Sequence, residues 1–523
     1  MHGGVPPFSL TYDIDKRIPA GHAAFFNLRV YTTFHHSSSI LVLDIMVMNL
    51  AGTTESLTTT RWSNVAYWFV FGLGLAWTAQ LCLRSTGTQT DDEIGHFLLS
   101  RDSFLFPKNL LDLWGRPFIT LVYAAPAQGG IFVARLFSLL LTATMVLVTT
   151  RLATLLNVRY LFLIPALLWF QPWFMDLGYP VMTEVPFALL LTTGTFFWAA
   201  ERFKLASCCF GLLPLARDEG LALMGLWFLY MLFRRNWKAA ALGTLPLLAF
   251  YLLFATFEGV QTYATYLHVR NITYAGSGDW FHFVRRLRFD VGAPVLLLAT
   301  LGLWSAYRLK GQRRLFTGFL IYFAIHVVIY RFGLFSSGGE ARYVMPTAPA
   351  FAILGAMGLE SIVMIWERLR ERIAHRIPSG ALPLGIGLVL AGTIVYGIQR
   401  VNPRLPTSQS VALRQASDWL KENGLGSRPT VTTNVNFYYF HPLPVEHGSY
   451  WWVVPKLADL GEGTIVVWDR KYSNRWGLKL MELEESRNSW RKLASFGSGE
   501  IAIVFEKKKD AGGMTSGNRV GNE

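Results

Sequence analysis

Hydrophobic and polar positions along this chain come in blocks: apolar runs of roughly 17 to 22 residues alternate with short polar breaks from about residue 66 to residue 399. A helix rises about 1.5 Å per residue, so about 20 apolar residues cross a hydrocarbon core of about 30 Å. The blocks predict about eleven membrane-spanning helices, near 66–84, 130–150, 160–175, 182–200, 205–216, 220–233, 239–257, 292–307, 315–331, 343–365 and 382–399. The fifth is short enough for a half-helix or for leaning on a neighbour. After residue 402 the pattern changes. Val411, Leu413, Ala416, Trp419 and Leu420 mark one face of a helix over 410–423, with Gly424 as its stop. The β-branched runs Thr430–Val435, Thr464–Trp468 and Glu500–Phe505 read as strands. The predicted fold is an all-α polytopic membrane protein with a small C-terminal α/β extracytoplasmic domain. Its parts are a disordered cytoplasmic lead at 1–62, a transmembrane domain at 63–401, the α/β domain at 402–506 and a disordered tail at 507–523.

Composition agrees with the class. Hydrophobic residues make up 52% of the chain and charged ones 16%. The net charge of +14 is spread over short gaps between spans, which reads as an orientation signal and makes a nucleic-acid surface the weaker reading. Arg151 and Arg159, Arg202 and Lys204, Arg234, Arg235 and Lys238, Arg308 to Arg314, and Arg368 to Arg376 occupy the cytoplasmic gaps. Asp91, Asp92, Glu93, Asp176, Glu184, Asp218, Glu219 and Glu340 fall in the outer ones. The first thirty or so residues lack the basic start and apolar core of a cleavable signal, and Met46 or Met48 is a candidate for the true start. Cys82, Cys208 and Cys209 lie in or beside apolar segments without metal-ligand spacing and read as packing residues.

The outer loops 85–129 and 258–291 are longer than connections need, and the acids beside them are the candidate chemistry. Thr90 followed by Glu93, with Ile94, Phe97 and Leu98 behind, is a capping box opening an amphipathic interfacial helix. The box accounts for Glu93, while Asp91 and Asp92 read either as acids favoured in a first helical turn or as the carboxylates of a site. Glu184 starts a span after Thr183, a candidate cap, and reads either as a capping acid or as an acceptor-binding group. Arg217-Asp218-Glu219-Gly220 is a tip between two apolar segments, either a self-paired turn or part of a site. Arg342 and Tyr343 open the tenth span, where a guanidinium either grips a phosphate bidentately or snorkels to lipid. His268, Arg270, Arg285, Arg286 and Arg288 are further phosphate candidates. Tyr438, Tyr439, Trp451 and Trp452 either stack on a sugar or fill a core.

Taken in order, Asp91-Asp92-Glu93, Gly115-Arg116-Pro117, Ala134-Arg135-Leu136-Phe137-Ser138-Leu139, Thr183-Glu184-Val185-Pro186, Arg217-Asp218-Glu219-Gly220 and Arg342-Tyr343-Val344-Met345-Pro346 resemble the pattern of GT-C glycosyltransferases. The likeness runs from about Trp62 to Phe505. It is nearest in character to the bacterial enzymes that place aminoarabinose or galacturonic acid on lipopolysaccharide and to protein O-mannosyltransferases. It implies inverting transfer of a sugar from a polyprenyl-phosphate carrier to a hydroxyl of an envelope lipid or glycan. The site and C-terminal domain would lie on the extracytoplasmic side of a bacterial inner membrane. By the same resemblance Asp92 or Asp91 is the base, with Glu93 in close support. Glu184 and Glu219 serve the acceptor or stand behind the site, and Arg342, Arg270 and Tyr343 hold the phosphate. Asp-Asp-Glu stands where protein mannosyltransferases show Asp-Glu, and no β-trefoil domain follows. No metal or other cofactor is expected, although carboxylates with His96 or His268 have the chemistry to bind one. The implied partners are the lipid-linked sugar, the acceptor and membrane lipids, with no nucleic acid. The competing readings are a transporter or flippase of lipid-linked sugars, and a protein O-glycosyltransferase. Transporters keep ionisable groups near the midplane, whereas these acids gather at helix ends.

Overall fold

The computed structural model describes residues 10–14, 26–32, 41–47, 57–259, 262, 276–308, 313–335, 337–372, 381–446, 454–485, 489–499 and 501–508. The chain forms two compact units, Met1–Phe69 and Val70–Glu523. In the first, the stretch expected as an unstructured lead carries strands β1 (Leu10–Ile14), β2 (Phe26–Thr32) and β3 (Leu41–Val47), paired antiparallel in that order. Their register sets Arg29 opposite Asp13 on one side and Asp44 on the other. The predicted tail beyond Lys508 lies outside the described residues.

Helix α1 (Leu57–Arg84) leads into the second unit, which continues with α2 (Asp91–Asp102), α3 (Pro117–Gln128) and α4 (Ile131–Leu155). The expected span at 160–175 is instead two short helices, α5 (Leu163–Trp169) and α6 (Pro172–Leu177). The reason is local. Pro172 has no N–H for a continuing helix, and Gln171 turns its amide to Leu167 O at 2.8 Å and Ala348 O at 3.0 Å. Then follow α7 (Glu184–Ala199), α8 (Phe203–Ala216), α9 (Gly220–Phe233) and α10 (Trp237–Phe257). The rest of the bundle is α11 (His282–Leu287), α12 (Ala293–Arg308), α13 (Thr317–Arg331), α14 (Ala348–Arg372) and α15 (Ala381–Arg400).

Among the described residues, five helices are long and apolar enough to cross a membrane: Ser63–Arg84, Ile131–Leu155, Trp237–Phe257, His282–Tyr307 and Ala341–Glu371. The protein is a multi-pass membrane protein. Large apolar side chains remain uncovered at helical spacing, as with Leu245, Leu248 and Leu252 on α10, which is how a lipid-facing stripe reads. Inside, α12 and α14 cross at Gly302 and Gly358. A Cβ on either would collide with the partner's backbone at Leu354 or Leu298, so glycine is what permits the approach. Cys82, Cys208 and Cys209 are free thiols.

The C-terminal elements are α16 (Ser408–Glu422), β4 (Thr430–Thr432), α17 (Val435–Phe440), β5 (Ile465–Asp469), α18 (Leu480–Glu485), β6 (Trp490–Phe496) and β7 (Ala502–Lys507). The sheet order is β4-β5-β7-β6, parallel between β4 and β5 and antiparallel elsewhere. Period-two alternation buries both faces of β5. Ile465 and Val467 pack with Leu413, Ala416 and Leu420 of α16, while Val466 and Trp468 pack with Leu478 and Leu483 on the other side. The first expected strand stops at Thr432 because Asn434 Oδ1 accepts from Asn436 N at 3.0 Å and caps α17. The strand β6 was not among those expected. It lies at the sheet edge and carries Arg491 and Lys492, polar enough to hide its period.

Candidate active site around the first turn of α2

Thr90 is extended (φ −154°, ψ 178°), and its Oγ1 accepts from Asp92 N at 3.2 Å, which starts α2 at Asp91. Successive side chains on a helix are turned by about 100°, so three adjacent acids face three directions. This rotation organises the site.

Glu93 faces the protein interior and is fully buried. Its carboxylate accepts from Arg135 Nε at 2.7 Å, Arg135 Nη2 at 3.1 Å and Gln89 N at 2.7 Å. Arg135 also donates to Ser85 O at 3.0 Å and Gly87 O at 2.7 Å. The capping box is therefore displaced by one residue, since Glu93 reaches back to Gln89 rather than to Thr90. Asp91 faces the C-terminal sheet domain, accepting from Asn436 Nδ2 at 2.6 Å, Lys471 Nζ at 3.0 Å and the Tyr472 hydroxyl. Asp92 alone faces the remaining acids and arginines.

Arg342 Nη2 donates to Asp92 Oδ2 at 2.5 Å, and Glu340 Oε2 lies 2.5 Å from Arg342 Nε. Glu184 Oε1 is 4.0 Å from the same guanidinium and 3.1 Å from Arg217 Nη1. Thr183, the expected cap, makes no capping bond; its backbone is already helical, and its Oγ1 accepts from Arg217 Nη1 at 2.9 Å. Arg217 also donates to both oxygens of Glu219 at 3.3 Å, so the tip at 217–220 is a self-paired turn and a member of the cluster at once. Tyr343 lies between two guanidinium groups, each 5.2 Å from its ring centroid. His326 stacks on Tyr343, with ring centroids 5.7 Å apart, and its Nε2 lies 3.6 Å from Glu219. Neither ring nitrogen of His326 has a hydrogen-bond partner among the described residues.

Arg116 opens a second approach to the cluster. Its backbone is left-handed at φ +65°, a costly conformation for a non-glycine residue, and its Nη1 donates to Asp218 Oδ1 at 2.5 Å. His96, one turn along α2 from Asp92, stacks on Trp114 at 5.0 Å.

The electrostatics follow from these neighbours. Packing pushes the Asp92 carboxyl up, but the Arg342 guanidinium outweighs it and holds Asp92 below the usual carboxylate range. Glu219 is likewise opposed by burial and pulled down to about 2 by Arg217. Burial lowers His96 to about 4, so the ring is neutral near pH 7. Asp92 is the open member, with its side chain 40% exposed, whereas that of Glu184 is 1% exposed.

Of the residues singled out in the sequence, Asp92, Glu184, Glu219, Arg342 and Tyr343 converge. Asp91 and Glu93 flank this group but turn away from it. Arg270 and His268 lie outside the described residues. Arg285 pairs with Asp279, and Arg286 Nε lies 3.4 Å from Asp290, both on or beside α11. Sequence reading passed over His326 and gave Arg116 and Arg217 no individual role. The signal available for His326 in the sequence is a lone histidine inside an apolar span. Among the described residues no group of three His, Cys, Asp or Glu is arranged to hold a metal ion.

A crystal structure of ArnT from Cupriavidus metallidurans in the apo state superposes with a TM-score of 0.58 at 16% identity, covering 86% of this chain and 98% of that one. The chain has a GT-C glycosyltransferase fold. The structure of the same ArnT bound to undecaprenyl phosphate gives a TM-score of 0.56, with the same identity and coverage. No protein-family model matches the sequence, and no curated protein matches it. The likeness is therefore one of backbone fold.

Proposed function

We propose that the protein is an integral membrane glycosyltransferase that moves a sugar from a polyprenyl-phosphate carrier to a hydroxyl of an envelope lipid or glycan. The transfer takes place on the extracytoplasmic face and inverts the anomeric centre. The observation that carries this reading is the pairing of a half-open carboxylate, Asp92, with Arg342 at the edge of a buried arginine–carboxylate cluster. ArnT, whose backbone this chain shares, has been solved with undecaprenyl phosphate bound, which supports a lipid-phosphate carrier here.

The chemistry is a single displacement. The acceptor hydroxyl oxygen forms a bond to the anomeric carbon, the bond from that carbon to the phosphate oxygen breaks, and the hydroxyl proton passes to Asp92. The polyprenyl phosphate leaves with the bonding electrons, its charge met by Arg342 and Arg116. A carboxylate held by a guanidinium is a weak base. A donor phosphate drawn to Arg342 shares that guanidinium, relaxes its hold on Asp92 and returns basicity as the substrate arrives. Glu184 and Glu219 keep Arg217 neutralised and the cluster rigid. The test is mass spectrometry of envelope lipids, glycans and secreted proteins from a deletion strain, complemented with the wild type or with Asp92→Asn. A sugar missing from a lipid or glycan, restored only by the wild type, supports the reading. A sugar missing from its products together with carrier-linked sugar trapped on the cytoplasmic side would assign transport instead, and a sugar lost from secreted proteins would assign a protein acceptor.

A further inference from the structure

The C-terminal sheet domain touches α2 at its start, middle and end, and its contact at Asp91 is turned about 100° from Asp92. At the start, Asn436, Lys471 and Tyr472 all converge on Asp91. In the middle, the Tyr439 ring meets Phe97 edge-on at 5.9 Å. At the far end, Val445 N donates to Asp102 Oδ2 at 2.8 Å, and Val445 O accepts from Asn109 Nδ2 at 2.8 Å. Asp91 is adjacent to Asp92, so whatever fixes the rotation of α2 at Asp91 fixes the direction of Asp92.

We propose that the C-terminal sheet domain is a working part of the reaction centre, with Asn436, Lys471 and Tyr472 as positioning residues that set the rotation of α2 and so aim Asp92 at Arg342. The proposal rests on the glycosyl-transfer reading for its consequence in rate, but not for its geometry. Two physical reasons carry it. Side-chain atoms lie about 5 Å from a helix axis, so a turn of about 15° moves the Asp92 carboxylate by roughly 1 Å. A misplacement of that size costs on the order of a hundredfold in rate. In addition, Lys471 neutralises Asp91, which removes a like charge beside Asp92 that would otherwise oppose the required geometry. Three donors on one carboxylate also exceed what a bare domain contact needs. Lys471 is a long side chain whose ordering costs entropy, which the contact must offset.

The experiment uses the full chain in lipid nanodiscs and compares wild type, Tyr472→Phe, Lys471→Ala, Lys471→Arg and the Asn436→Ala/Lys471→Ala pair. Hydrogen exchange of the amides around 89–96 is followed alongside restoration of the missing sugar in the deletion strain. The expected result is faster exchange confined to the first turn of α2, transfer reduced about 10- to 100-fold in the double variant, and recovery with Lys471→Arg. The acid limb of the pH–rate profile should also move upward, because Asp92 loses part of its Arg342 contact; a purely structural contact would leave it in place. The proposal is overturned if exchange rises while transfer and its pH profile stay at wild-type levels, or if exchange does not change at all. Failure of the glycosyl-transfer reading is distinguishable, because no sugar is then missing from the deletion strain while the exchange response of α2 is still observed.

Discussion

Two arginine–carboxylate assemblies share the first turn of α2, and they differ in what is left unsatisfied. Around Glu93 and Arg135 the polar atoms are matched: the carboxylate accepts from Arg135 and Gln89, and the guanidinium's remaining donors go to Ser85 and Gly87 carbonyls. Around Asp92 the accounts do not close in this way. Arg342 is shared among Asp92, Glu340 and Glu184, His326 has no hydrogen-bond partner among the described residues, and Asp92 itself is open. Arginine–carboxylate pairs therefore make a saturated staple in one direction and an open, unsaturated group in the other. A saturated buried pair holds backbone in place, whereas an unsaturated one is ready to exchange a protein partner for a substrate.

The sharpest way to separate the two is Asp92→Asn. It should lower kcat by roughly 10²- to 10⁴-fold with the melting midpoint unchanged, since a half-open carboxylate contributes chemistry rather than core; transfer assays with thermal melts check both halves. Changing Arg135→Met should do the reverse. Leaving Glu93 buried without its partner costs about 3–5 kcal/mol of stability, read by thermal unfolding in detergent, while the molecules that remain folded keep their turnover.

The pH response divides the assemblies further. Glu219 sits at about 2 instead of 4.5, so its contribution to stability is complete above pH 4.5 and is lost as pH falls through about 2. His96 is lowered from 6.5 to about 4, so stability that is present above pH 6.5 declines as pH falls towards 4, where the buried ring must charge. In melts across this window, His96→Phe should flatten the decline between pH 6.5 and 4 and leave the lower segment in place. Asp92 should keep its activity below the ordinary carboxylate pKa of about 3.9, and Arg342→Gln should move that acid limb upward. The smallest effect belongs to an exposed pair on α16. Arg414→Ala, which removes a contact to Asp418 at 3.8 Å, should change stability by under about 0.5 kcal/mol and leave transfer untouched.

Most of the membrane architecture was legible from hydrophobic blocks, because lipid demands a continuous apolar surface and the pattern is written in contiguous residues. Thus α4, α7, α8, α9, α10 and α13 begin and end within a few residues of where the runs do. The span at 160–175 failed because hydropathy counts apolar side chains and does not see that Pro172 ends a helical ladder. The edge strand β6 failed because its alternation is mostly polar.

The candidate site divides along the same line. By itself the sequence determined that acids and arginines gather at helix ends, that Thr90 starts a helix, and that Asp91, Asp92 and Glu93 fall in its first turn. Which of the three faces the cluster was decided only in the tertiary structure, since the answer depends on partners at Arg135, Arg342, Asn436, Lys471 and Tyr472, up to 381 positions away in the chain. Adjacent residues on a helix point about 100° apart, and no local pattern records which neighbour each direction will meet.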